Sequence, residues 1–157
     1  FTDYYHNKNI IKLLILLSGL LVMIHTEKHS IGFYQALGKL FYAIAAADKH
    51  VLEEEYNALK KILETEWVVI DEFKDDNNSN GLKQIQIVFD WLNKKQELKP
   101  NQYLKDFLEF KNNNEKLFTK NIKYLISKTA HAIANSYSRK NKSELIILAK
   151  LDLELKK

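Results

Sequence analysis

A chain of 157 residues, 46% hydrophobic and 28% charged, is long enough to bury a core and too apolar for wholesale disorder. It has no Cys, which excludes disulfides, thiolate catalysis and Cys-ligated zinc or iron–sulfur centres. The net charge of +4 is carried by Lys, with Arg139 the single Arg, so bidentate Arg readout of phosphate or guanine is nearly closed and no nucleic-acid partner is expected.

The most apolar stretch, IIKLLILLSGLLVMI, runs from Ile10 to Ile24. It is shorter than the roughly twenty residues that span a bilayer. Lys8 and Lys12 stand at its start, like the positive flank of an anchor, and no small-x-small cleavage site follows in HTEKHS. Residues 1–30 therefore have three readings. They are a membrane anchor, with membrane association through Ile10 to Ile24; or an extra helix buried on the domain; or sequence outside a natural start at Met23, the only Met.

From residue 31 onward the pattern is helical. Phe33, Leu37, Leu40, Phe41, Ile44 and Ala47 recur at helical spacing, with Ala36, Gly38, Ala43, Ala45 and Ala46 small enough for close packing. A turn is expected from Asp48 to Val51. Leu52, Tyr56, Leu59, Ile62, Leu63 and Trp67 then stripe a second helix, and Glu53, Glu54 and Glu55 fall in its first turn, at the positive end of the dipole.

DEFKDDNNSNG, from Asp71 to Gly81, reads as a loop. Its last six residues match the start of a calcium loop, but the twelfth position, which needs a bidentate Glu, is Ile87, expected in the core. Ile85, Val88, Phe89 and Leu92 predict a third helix with Trp91 beside them, although QIQIV also permits a short strand. Pro100 marks a boundary, with Asn101 as candidate cap, before a helix carrying Tyr103, Leu104, Phe107, Leu108 and Phe110. A long helix is predicted from about Lys116 to Ser136. Asn141-Lys142-Ser143-Glu144 reads as a capping box opening a last helix, with Leu145, Leu148, Ala149 and Leu155 inward. Few Gly and a single Pro agree with an all-α, single-domain helical bundle over residues 31–157.

An internal repeat is also expected. LGKLFYAIAAADKHVLEEEYNALKKI aligns with ISKTAHAIANSYSRKNKSELIILAKL, matching Lys39 to Lys128, Ala43 to Ala132, Glu55 to Glu144 and Leu59 to Leu148. Each copy is a small-residue helix, a tight turn and an amphipathic helix, so the bundle reads as a pseudo-repeat of two helical hairpins.

The stretch AADKHVLEEE, from Ala46 to Glu55, resembles the A-D-G-x-I-x-x-x-E signature of TerB-like tellurite-resistance domains. LGKLFYAIA before it and KTAHAIANSYSRKNKSELIILAKLDLEL at the end are similar to that family as well. The resemblance implies a bacterial, all-helical stress-response and protein-interaction module with no established catalytic activity, for which divalent-cation binding has been proposed. Asp48 falls on the family's Asp, Val51 on its apolar position, and Glu54 and Glu55 on its closing acids. Lys49 replaces the Gly, Leu52 replaces the usual capping residue, and Tyr137 stands where the second copy would need an Asp.

Asp48, Glu54 and Glu55 are therefore the candidate metal ligands, for a hard cation such as Ca²⁺ or Mg²⁺. No resident cofactor is otherwise expected. His6, His25, His29, His50 and His131 are scattered, and H-E-x-x-H, the P-loop, the dinucleotide fingerprint and the nucleophile elbow are missing, so no enzyme is expected. An acid–base pair of His131 with Glu55 across the repeat is the one catalytic arrangement the alignment offers. Trp67, Trp91, Phe107 and Phe110 read as core, or as the lining of a groove for a partner helix. The expected setting is the cytoplasm, at a membrane if the anchor reading holds, and the expected partner is a protein.

Overall fold

The computed structural model describes the backbone of residues 2–70, 76–136 and 141–157, and side-chain surroundings at 8–18, 31–70, 80–136 and 141–157. Residues 71–75 of the predicted loop, Tyr137, Arg139 and the side chains of Met23, His25 and His29 lie outside the described residues. Every described element is helical. They are α1 (Thr2–Ala45), α2 (Glu53–Ile62) continued by a π-helical turn at Leu63–Trp67, α3 (Asp76–Lys95), α4 (Pro100–Asn113), a 3-10 turn at Glu115–Leu117, α5 (Lys120–Asn135) and α6 (Lys142–Leu155). QIQIV lies inside α3 and forms no strand.

The chain forms two compact units, Phe1–Gly32 and Phe33–Lys157. In the first, the described apolar residues of α1 face solvent. In the second, the end of α1 is the central element. Leu37, Leu40, Phe41, Tyr42, Ala43, Ile44, Ala45 and Ala46 are all at 0% exposure. A helix enclosed on every side needs small residues where its neighbours cross, and Gly38 is such a point. A Cβ there would stand 2.8 Å from the Val88 Cβ of α3.

Trp67 closes another side. Its ring meets Phe41 edge-on at 6.2 Å. Its indole N–H donates to the Thr129 hydroxyl of α5 at 2.9 Å, and that hydroxyl donates to the Leu125 carbonyl at 2.6 Å. Tyr42 meets Phe89 of α3 and Tyr103 of α4 edge-on, at 5.4 and 5.8 Å. Phe107 is buried, Phe110 is half-buried, and Trp91 is exposed with the Lys95 ammonium 3.8 Å over its ring.

The structure corrects several expectations. Asp76 to Gly81 is the opening of α3, not loop, because Asp and Asn suit a helix N-terminus as well as a turn and the buried series Leu82, Ile85, Phe89 and Leu92 reaches back to it. The calcium-loop match falls with it, and Ile87 is 54% exposed rather than core. The helix expected from Lys116 starts at Lys120, since the Thr119 side chain accepts from the Ile122 N–H and caps it there. Lys99, not Asn101, precedes the first turn of α4, and Pro100 occupies that turn, where its missing N–H costs nothing. In α6 the inward face is Glu144, Ile147, Leu148, Leu151 and Leu155, while Leu145 and Ala149 face solvent.

Gly38→Ala tests the close crossing. It gains about 1 kcal/mol of helix propensity and loses about 1–3 kcal/mol to overpacking against Val88. A lower midpoint in chemical denaturation is expected; an unchanged or higher one would show that α1 and α3 separate freely.

Candidate functional site

The turn between α1 and α2 and the start of α6 meet at one corner. Asp48 ends the α1 side, and both of its oxygens accept hydrogen bonds. Oδ1 takes the His50 N–H at 2.9 Å, closing an Asx turn, and Oδ2 takes the Asn141 side-chain amide at 2.8 Å. Between Asp48 and His50 the chain passes through Lys49 at φ 67°, the left-handed region that favours Gly. This is the position where the TerB-like signature carries Gly.

Asn141 is the hub. Its amide donates to Asp48, its Oδ1 accepts from the Glu144 N–H at 2.9 Å, and its own N–H donates to Glu144 Oε2 at 3.0 Å. The capping box read from the sequence is therefore formed, and it is tied to a turn 93 residues away. Glu55 makes the matching bond on α2, accepting the Leu52 N–H at 2.8 Å. Leu52 has no side-chain oxygen to return it, so α2 carries only half of the box.

Glu55 and Glu144 are buried, at 2% and 4% exposure. Burial pushes the Glu55 carboxyl up from 4.5 to about 7, against the opposing pull of the Leu52 N–H; the charges of Glu144, Asp48 and Glu54 push it the same way as burial. Of the three candidate ligands, Asp48 is half-buried and engaged, Glu55 is buried and engaged, and Glu54 is exposed. Among the described residues, no three His, Asp or Glu side chains are grouped to hold a metal ion. Glu144 and Asn141 were not among the expected ligands, although the alignment of Glu55 with Glu144 and the N-K-S-E pattern pointed at them.

A small cleft of about 200 Å³ opens beside the corner, lined by Ala47, Pro100, Ser143, Ile147 and Lys150. Away from it, His131 bonds Asp152 at 2.9 Å. Ser127 donates to the other oxygen of Asp152, also at 2.9 Å. The carboxylate thus sits between hydroxyl and imidazole, whereas nucleophilic catalysis needs the imidazole on the hydroxyl.

Comparison with known protein families, with characterised proteins and with solved structures returns no match for this chain.

Two outcomes are expected. Because the folded-state pKa of Glu55 is raised, its contribution to stability is full below about pH 4.5 and is lost as pH rises through about 7. Thermal melts of Glu55→Gln should therefore show a flatter pH dependence over that window, with a gain over the parent above pH 7 of at most about 3 kcal/mol. Identical profiles would show that Glu55 titrates normally. Lys49→Gly should raise the chemical-denaturation midpoint by up to about 1 kcal/mol through relief of the left-handed strain; a loss would mean that the Lys49 side chain contributes more than its backbone costs.

Proposed function

We propose that residues 33–157 form a TerB-like, non-catalytic stress-response and interaction module whose acidic corner takes a divalent cation, Ca²⁺ or Mg²⁺. The observation that carries the reading is the state of Glu55. It is a buried carboxyl surrounded by the charges of Glu144, Asp48 and Glu54, all negative. Bringing like charges together out of water is a cost that a bound cation removes. A carboxylate offers about four acceptor positions, so the hydrogen bonds to Asp48 and Glu55 leave room for coordination. The exposed Glu54 would have to swing in to complete a set with them. The like caps at Glu55 and Glu144 and the resemblance of AADKHVLEEE to the TerB-like signature support the same reading, and support two related hairpins. Protein partners would then be recruited at the corner through the cation or beside it.

Calorimetric titration of Ca²⁺, Mg²⁺ and Mn²⁺ into the full chain, at pH 6 and pH 8, tests this. Saturable binding is expected at pH 8, weaker at pH 6 because the metal must displace the Glu55 proton, and lost in Asp48→Asn with Glu55→Gln. No heat and no melting shift at millimolar metal at either pH would sink the cation and leave the corner a pair of helix caps.

A further inference from the structure

The acidic corner leaves the first compact unit unused. There, Ile10, Ile11, Leu13, Leu14, Ile15, Leu16 and Leu17 of α1 are 45%, 52%, 57%, 59%, 64%, 70% and 47% exposed. At about 100° per residue these side chains point around almost the whole circumference of the helix. The strip they leave open holds Lys12 and, one turn earlier, Lys8, both exposed. A helix that docks in a protein groove or pairs with a second helix needs one apolar stripe and keeps the rest polar. The end of α1 is covered on every face by other helices, but the first unit has no described element besides α1 itself, and hydrocarbon covers every face at once.

Length limits how it would do so. The described run, residues 10–17, rises about 12 Å, and the apolar sequence to Ile24 about 22 Å, against a hydrocarbon core of about 30 Å. That is more than one leaflet and less than two. Among the described residues, no helix is long and apolar enough to cross a membrane. Lys8 and Lys12 carry the charge that anionic headgroups attract, and long Lys stems reach the interface while their methylenes stay in the apolar layer.

We propose that residues 10–17 of α1 insert into one face of an anionic lipid bilayer, with Lys8 and Lys12 held at the headgroups. The test is co-sedimentation of the full chain with vesicles of phosphatidylcholine alone and of phosphatidylcholine with phosphatidylglycerol. Binding to both is expected, tighter with phosphatidylglycerol. Leu14→Asp with Leu16→Asp should lower partitioning at least about tenfold. Lys8→Gln with Lys12→Gln should remove the preference for phosphatidylglycerol and keep the basal binding. The melting transition of the 33–157 core in each variant confirms that it still folds. The proposal is overturned if the parent stays in the supernatant with both vesicles, or if the double Asp variant binds as the parent does. It is equally overturned if sedimentation in lipid-free buffer shows a dimer that the Asp pair dissolves and vesicles do not compete with; the occupant would then be a second copy of this chain.

Discussion

Enclosing one helix on every side is the constraint from which the folded core follows. Residues 40–46 lose all contact with water, so the remaining helices must arrange themselves around this one. Several contribute cover: Val88 of α3 against Gly38, Trp67 against Phe41, Phe89 and Tyr103 against Tyr42. Full enclosure has a polar cost. The Tyr42 hydroxyl is buried with no hydrogen-bond partner among the described residues. Such a group costs about 1–3 kcal/mol. The ring contacts that Tyr42 makes, each worth about 0.5–1.5 kcal/mol beyond area burial, are of the size needed to offset it.

A central helix must also end without stranding its polar groups, and the acidic corner is how this one ends. α1 stops at Ala45, Asp48 turns the chain, and Asn141 fastens the turn to the start of α6. Two helices, α2 and α6, begin near this point, and N-termini favour carboxylates by about 0.3–1 kcal/mol each. That accounts for why acids gather here. It does not account for Glu55 near 7, which burial first, and the like charges of Glu144, Asp48 and Glu54 with it, produce against the pull of the Leu52 N–H. The cation proposed for the corner would relieve that excess.

Most of the architecture was legible because it is local. Apolar and small residues at helical spacing announced the end of α1, and Asn141 with Glu144 announced a cap three residues long. Two of the failures have a plain physical reason. In LIILAKLDL, apolar residues occupy every face, so periodicity could not tell Leu145 and Ala149 from Ile147 and Leu151; only the packing of α6 against its neighbours phases it. In DNNSNG, one composition suits both a loop and a helix start, and the buried run from Leu82 decides. The site was legible in part. The signature led to Asp48 and Glu55, but it also favoured Glu54, which solvent takes, over Glu144, which reaches the corner only through the tertiary bond of Asn141 to Asp48.

Among the described residues, two features sit in costly surroundings, and they are opposite in kind. One is negative charge held out of water at the corner; the other is apolar surface held in water on residues 10–17. Neither relieves the other by chemistry, since a carboxylate cluster has no affinity for hydrocarbon and an apolar helix offers it no cation. The two proposals therefore give each its own kind of occupant. At the corner, a proton on Glu55 and a cation beside it are alternatives, because each removes the same repulsion. Above about pH 7 the proton is lost, and on the proposed reading the cation takes its place. Occupancy by the proposed cation would then be tied to pH with the sign of a competition.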